Sequence, residues 1–148
     1  MPAYQRLGSE DVSRFRELNA VFADAFDDHE THLSRQPGDP YLTALLSKKH
    51  FVALAALDQG QVVGGLVAYI LEKYEQERSE VYIYDLAVSE AHRRRGIARG
   101  LIETLRTIAK DAGAWVIFVQ ADRSDPPAIK LYASLGVREE PFHFDIPV

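Results

Sequence analysis

The strongest constraint on this chain is one block in its second half. An apolar run, Val81–Val88 (VYIYDLAV), is followed by a basic turn, a helical stripe and a second apolar run, Trp115–Ala121 (WVIFVQA). Runs this continuous in apolar character suit strands that are covered on both faces of a sheet. Between them, Ile97, Leu101, Leu105, Ile108 and Ala112 are spaced 4, 4, 3 and 4 residues apart. That spacing places one apolar stripe on a helix, which Gly113 ends. Strand, helix and strand in this order predict a right-handed crossover and therefore a parallel pair. Only Asp85 interrupts the first run.

The first half reads differently. FVALAALD and QVVGGLVAYIL are β-prone runs separated by Asp58, Gln59 and Gly60, which predicts an antiparallel hairpin. Tyr4–Leu7 predicts a short first strand. Ser9 then caps a helix whose apolar positions are Val12, Phe15, Leu18, Phe22 and Phe26. The acidic stretch after it and SRQPGDP read as a surface loop before a short helix around Tyr41–Lys48. Beyond the second apolar run, Asp125 caps a helix with Pro126 and Pro127 in its first turn; Ala128, Leu131, Tyr132 and Leu135 form its apolar face and Gly136 ends it. A last strand is expected over Phe142–Ile146. The fold class is therefore α/β, a mixed sheet that is antiparallel in its first half and parallel after Val81–Val88, with about four helices. No linker or repeat divides the 148 residues, so one domain is expected over residues 1–148.

Composition removes several function classes. The chain has no cysteine, so any thiol chemistry has to come from a cofactor. The start MPAYQRLGSEDV has no basic run leading into an apolar stretch, and no apolar run approaches the ~18 residues of a membrane span, so a cytoplasmic location and no membrane partner are expected. Seventeen basic against 22 acidic residues leave a net charge of −5, which disfavours nucleic acid and would attract a cationic small molecule. The same charge is also ordinary for solubility. The five histidines are too scattered for zinc-ligand spacing, and no metal is expected.

Arg93, Arg94, Arg95, Gly96, Ile97 and Ala98 lie between a strand and the start of an amphipathic helix. Free N–H groups at a helix start bind phosphate oxygens, glycine allows close approach, and arginines add charge-assisted hydrogen bonds. The Walker pattern and the three-glycine dinucleotide fingerprint are both missing. Arg93-x-x-Gly96-x-Ala98, with DLAV before it, WVIFVQA after it and AIKLYASLG further on, resembles the GCN5-related N-acetyltransferase (GNAT) superfamily. FVALAALDQ, RSEVYIYDLAVS, HRRRGIA, LYASLG and REEPFHFDI are more closely similar to the type I aminoglycoside 3-N-acetyltransferases.

The resemblance implies direct transfer of an acetyl group from acetyl-coenzyme A to a neutral amine, with no acetylated enzyme. Asp85, a lone carboxylate on an apolar strand, is the candidate base, because burial raises its pKa and makes it a better proton acceptor. A structural aspartate at a bulge or paired with an arginine is the alternative. Glu80 is the runner-up base. Periodicity alone makes Tyr132 a core residue, whereas the resemblance makes it the acid that protonates the leaving thiolate. The resemblance also implies that Leu86, Ala87 and Val88 hold the pantetheine arm through a bulged strand whose N–H groups stabilise the oxyanion. Where many members have asparagine, this chain has Asp125, a departure at one cofactor contact. Asp27, Asp28, Glu30, Glu139, Glu140 and Asp145 are expected to line a pocket for a polycationic amine, with solvated surface as the alternative reading of each. Dimers are common among such enzymes, so a homodimer is allowed for. Two other functions stay open: acetylation of a polyamine, other small amine or protein amine, and a non-catalytic acyl-CoA-binding domain, against which Asp85 and Tyr132 argue.

Overall fold

The computed structural model describes residues 2–148. The elements run β1 (Ala3–Arg6), α1 (Val12–Ala25), α2 (His29–Leu33), α3 (Asp39–Leu46), β2 (Phe51–Asp58), β3 (Gln61–Glu72), β4 (Ser79–Val88), α4 (Ile97–Asp111), β5 (Ala114–Val119) and α5 (Pro126–Leu135), with one 3-10 turn at Glu90–His92. They form one five-stranded sheet in the order β1-β2-β3-β4-β5. The first three pairings are antiparallel, and β4 with β5 is parallel. This is the mixed α/β sheet expected, with the change of direction where the crossover places it.

The sheet is covered on both faces, and β2 shows how. Val52, Leu54 and Ala56 join the layer under α4, where Leu101 and Leu105 are fully buried. Phe51, Ala53 and Ala55 point the other way and join Leu18 and Phe22 of α1. The period-two alternation of a strand thus serves two cores at once. Close approach of α1 depends on Gly65, where a Cβ would collide with Leu18 and with the Leu54 carbonyl. Replacing Gly65 with alanine should lower stability by about 1–3 kcal/mol, the usual range for overpacking. Thermal or denaturant unfolding against the parent protein measures it.

Several local expectations are corrected. Ser9 does not cap α1: the N-cap is Asp11, whose carboxylate instead accepts from the Gly8 N–H at 2.8 Å, closing a turn ahead of the helix. The acidic stretch read as loop contains α2, a single short turn nucleated by Asp28, whose Oδ1 accepts from the Thr31 N–H at 3.2 Å. The third helix starts at Asp39, because Pro40 suits its first turn. With α2 included, five helices are present instead of about four. Residues Phe142–Ile146 form no strand, and β5 is the sheet's exposed edge, with Trp115 and Phe118 open to solvent. Its apolar run suggested cover on both faces, but its residues are only partly buried or exposed.

Candidate active site

Asp85 owes its orientation to a break in the β3–β4 ladder. Val67 pairs with Asp85 and Ala68 with Ile83, so Tyr84 has no opposite number. An extra residue of this kind is a β-bulge, which kinks the strand and re-aims its side chains. Val81 and Ile83 face the α4 layer, whereas Asp85, opposite Val67, faces the α1 side. There it lines a cleft of about 290 Å³. The bulge was expected near Leu86–Val88; it lies just before them, at Tyr84.

Phe15, Phe22, Tyr41, Tyr69 and Tyr84 line the cleft around Asp85, and Arg16 and Arg35 stand in the same lining, Arg16 paired with Asp39 at 2.6 Å. Tyr69 bridges edge-on to Phe51 and to Tyr84 at 5.5 and 6.0 Å between ring centres, which fixes this wall. Asp85 is the one carboxylate in the lining, and burial pushes its pKa up. The neighbouring His32 opposes this weakly, by favouring the negative charge. Burial favours the neutral acid and so makes the carboxylate a stronger proton acceptor.

The other expected substrate residues are not brought together. Asp27, Asp28 and Glu30 lie outside the lining, although Thr31 and His32 of the same stretch are in it. Asp28 is occupied as the α2 cap, and the two Thr31 hydrogen bonds hold its carboxyl below the usual range. Glu139, Glu140 and Asp145 lie in the exposed C-terminal segment, where Glu140 pairs with Arg138 and Asp145 with His143. Glu80 is five residues before Asp85 on β4, so roughly 16 Å away along the strand. It accepts from the Trp115 indole at 3.1 Å and lies 3.7 Å from Lys73, so a separate set of contacts holds it. A cleft built of tyrosines, His32 and one aspartate was not visible in the sequence, because α1, α2, α3, β2, β3 and β4 each contribute a part.

β4 and β5 part company next to Asp85. Their pairing runs from Ser79↔Ala114 to Ile83↔Val119 and goes no further. Leu86, Ala87 and Val88 remain paired with Leu66, Gly65 and Gly64 on one side, and on the other no strand accompanies them. At the end of this gap stands the arginine loop. Arg94 and Gly96 have φ of 63° and 77° on either side of Arg95, an alternation of the kind used in anion-binding nests. Gly96 is the N-cap of α4, and no side chain caps that helix start. A Cβ at Gly96 would meet nothing within 4 Å, so the space in front of the helix is open. Arg93 Nε donates to the Val88 carbonyl at 3.0 Å and ties the loop to β4, while Arg94 and Arg95 are exposed. Ile97 is buried and anchors the first turn, with Ala98 beside it.

Tyr132 comes from the opposite face, where α5 packs Leu131, Tyr132 and Leu135 against the α4 layer. Burial, and secondarily Asp125, pushes its pKa up to about 12. Its hydroxyl therefore stays protonated at neutral pH and can donate. Asp125 caps α5, accepting from the Ala128 N–H at 3.3 Å. No group of three His, Asp or Glu side chains that could hold a metal ion occurs among the described residues, nor does a helix long and apolar enough to cross a membrane.

Comparison with known proteins gives the family of this fold. The family model described as Acetyltransferase (GNAT) family matches residues 15–137. A solved aminoglycoside acetyltransferase from an uncultured soil metagenomic sample is 54% identical, with a TM-score of 0.98 over 100% of this chain and 99% of that one. A second such enzyme from a soil metagenomic sample, solved with sisomicin, is 32% identical with a TM-score of 0.92, covering 99% of this chain and 96% of that one. N-acetyltransferase 8B of Rattus norvegicus is 30% identical over 84 residues, which are 57% of this chain and 38% of that protein. The chain thus spans well under half the length of the curated relatives it matches.

Proposed function

Because this chain belongs to the acetyltransferase (GNAT) family, we propose that it transfers the acetyl group of acetyl-coenzyme A to a primary amine of an aminoglycoside, at the 3-amino group of the 2-deoxystreptamine ring, and so protects bacteria that express it. The observation that carries this reading is the juxtaposition along β4 of a half-buried carboxylate, an unpaired strand edge and an uncapped helix start. The close similarity over the whole chain to an aminoglycoside acetyltransferase supports the substrate class.

Acetyl-coenzyme A would supply the thioester that carries the acetyl group. The uncapped N–H groups of Ile97 and Ala98, the nest at Arg94–Gly96 and the arginine guanidiniums suit its pyrophosphate. The free edge of Leu86–Val88 offers backbone groups to an amide-bearing arm and N–H donors to a developing oxyanion. Asp85 takes the proton from the substrate ammonium, and the released amine faces the gap between β4 and β5. Tyr132, on α5, holds a proton for the departing thiolate. The aromatic side chains suit an ammonium by cation–π contact and Asp85 suits it by charge, in a cleft that Arg16 and Arg35 also line.

A thiol-release assay with acetyl-coenzyme A tests the substrate class. Gentamicin-like aminoglycosides are expected to support release, with the product acetylated at the 3-amino group by NMR. Turnover with polyamines or peptides but with no aminoglycoside would reject this reading and leave the family assignment intact.

A further inference from the structure

The cleft at Asp85 carries more positive charge than an ammonium substrate accounts for. Asp85 is the one carboxylate in its lining, yet Arg16 and Arg35 both line it as well. The two arginines are employed differently. Nη1 of Arg16 donates to Gln36 Oε1 at 3.2 Å, and its Nη2 donates to the Pro37 carbonyl at 2.9 Å and to the Asp39 carboxylate at 2.6 Å. Its charge is therefore answered by Asp39, and its contacts hold the segment that follows α2 against α1. Arg35 is exposed and donates to no partner among the described residues.

That segment presents Arg35 from a fixed backbone. Before it, Asn19 of α1 donates to the His32 carbonyl at 2.7 Å, and the Ser34 N–H donates to the Glu30 carbonyl at 3.3 Å. After it stand Gln36 and Pro37, both held by Arg16. Arg35 thus lies between two anchors on the same helix, α1. Its stem has a set place in the lining while its guanidinium is left unsatisfied.

A guanidinium offers five N–H donors and accepts nothing, so oxygen satisfies it and a second cation is repelled. On the 2-deoxystreptamine ring, the carbon beside the 3-amino group carries an ether oxygen, which can accept. In spermidine the primary amines are flanked by methylenes alone, and the next polar group along the chain is another cation. We infer that Arg35 selects between these two classes of amine, favouring a ring that presents oxygen beside the reacting amine and disfavouring a polyamine chain. The inference rests on the proposed aminoglycoside activity and adds a repulsive element to it, since specificity is a difference that a cost imposed on the wrong partner can supply. Other ammonium groups of an aminoglycoside have the tyrosine rings of the cleft to face.

Thiol release with gentamicin and with spermidine, on the parent protein and on Arg35→Ala, Arg35→Glu and Arg35→Lys, tests this. Inhibition of gentamicin acetylation by spermidine, read alongside, measures polyamine binding even where spermidine is not acetylated. Because Arg35 is exposed, all three variants are expected to unfold with the parent. Arg35→Ala should lower kcat/KM for gentamicin by about 10-fold, the loss of one charge-assisted hydrogen bond. The same variant should bind spermidine about 2–5-fold more tightly, as one exposed like-charge contact is removed. Arg35→Glu should strengthen spermidine binding further. Arg35→Lys keeps the charge without the planar fork, so spermidine should stay excluded while gentamicin activity falls. Both amines weakening together in Arg35→Ala would mark a merely structural role and overturn the inference. An unmoved gentamicin-to-spermidine preference in Arg35→Ala and Arg35→Glu would also overturn it, with the aminoglycoside activity left standing. A parent protein that prefers spermidine overturns both.

Discussion

Replacing Asp85 with asparagine should lower turnover by about 10²–10⁴-fold, the range a positioned general base contributes. The side chain keeps its volume and its place opposite Val67, so the KM for acetyl-coenzyme A should hardly move. The pH profile gives a second readout. Burial raises the pKa of Asp85, and the base works as carboxylate, so kcat/KM should fall as pH drops through that raised value. In the variant this acid limb should disappear. Stability should change in the opposite sense to activity. A carboxyl with a raised folded-state pKa favours folding below its ordinary value near 3.9, and loses that contribution as pH climbs through the raised one. At neutral pH the buried charge is a cost, so Asp85→Asn should unfold at the same temperature as the parent or a higher one. A variant with near-normal turnover would remove Asp85 from the base role, and one that unfolds early would show that Asp85 is structural.

Gly96→Asp should raise the KM for acetyl-coenzyme A by about 10–100-fold, the equivalent of losing one or two charge-assisted hydrogen bonds. Glycine at this N-cap leaves the first N–H groups of α4 free, with open space before them. Aspartate is itself a favoured N-cap and tolerates left-handed backbone better than most residues. Its carboxylate would take the donors meant for phosphate and repel what is left of the anion. The fold should therefore survive, and the thermal unfolding temperature should stay within a few degrees. Titration of coenzyme A by calorimetry measures the loss directly. Unchanged affinity would place the pyrophosphate somewhere other than the Arg93–Ala98 loop.

How far the sequence could be read depended on the range of the forces involved. The α4 stripe, the Gly113 stop, the β2–β3 turn and the parallel crossover follow from local spacing, and all of them are present in the structure. The loop at Arg93–Gly96 was legible for the same reason, as its geometry belongs to one turn between one strand and one helix. The cleft at Asp85 was not. Asp27, Asp28 and Glu30 attracted attention as a cluster of charge, yet α2 turns Thr31 and His32 to the cleft and spends Asp28 on its own cap. Tyr41, Tyr69 and Tyr84 looked like ordinary strand and helix residues, because what gathers them is packing between elements far apart in the chain. β5 was misjudged because apolar composition does not show whether a strand's faces are covered, and its residues are only partly buried or exposed.

The unpaired Tyr84 has a consequence that concerns counting more than chemistry. Upstream of it the odd-numbered residues Val81 and Ile83 belong to the α4 layer; downstream the odd-numbered Asp85 and Ala87 belong to the other face. One added residue has reassigned every later position on the strand. The information that sends Asp85 to the cleft is thus carried by the length of β4 and not by the identity of any side chain in it. Sequences of this design cannot gain or lose a residue at the bulge without exchanging the contents of two cores, whereas the side chain at the bulge, Tyr84, is tied to its place beside Tyr69 in the cleft wall.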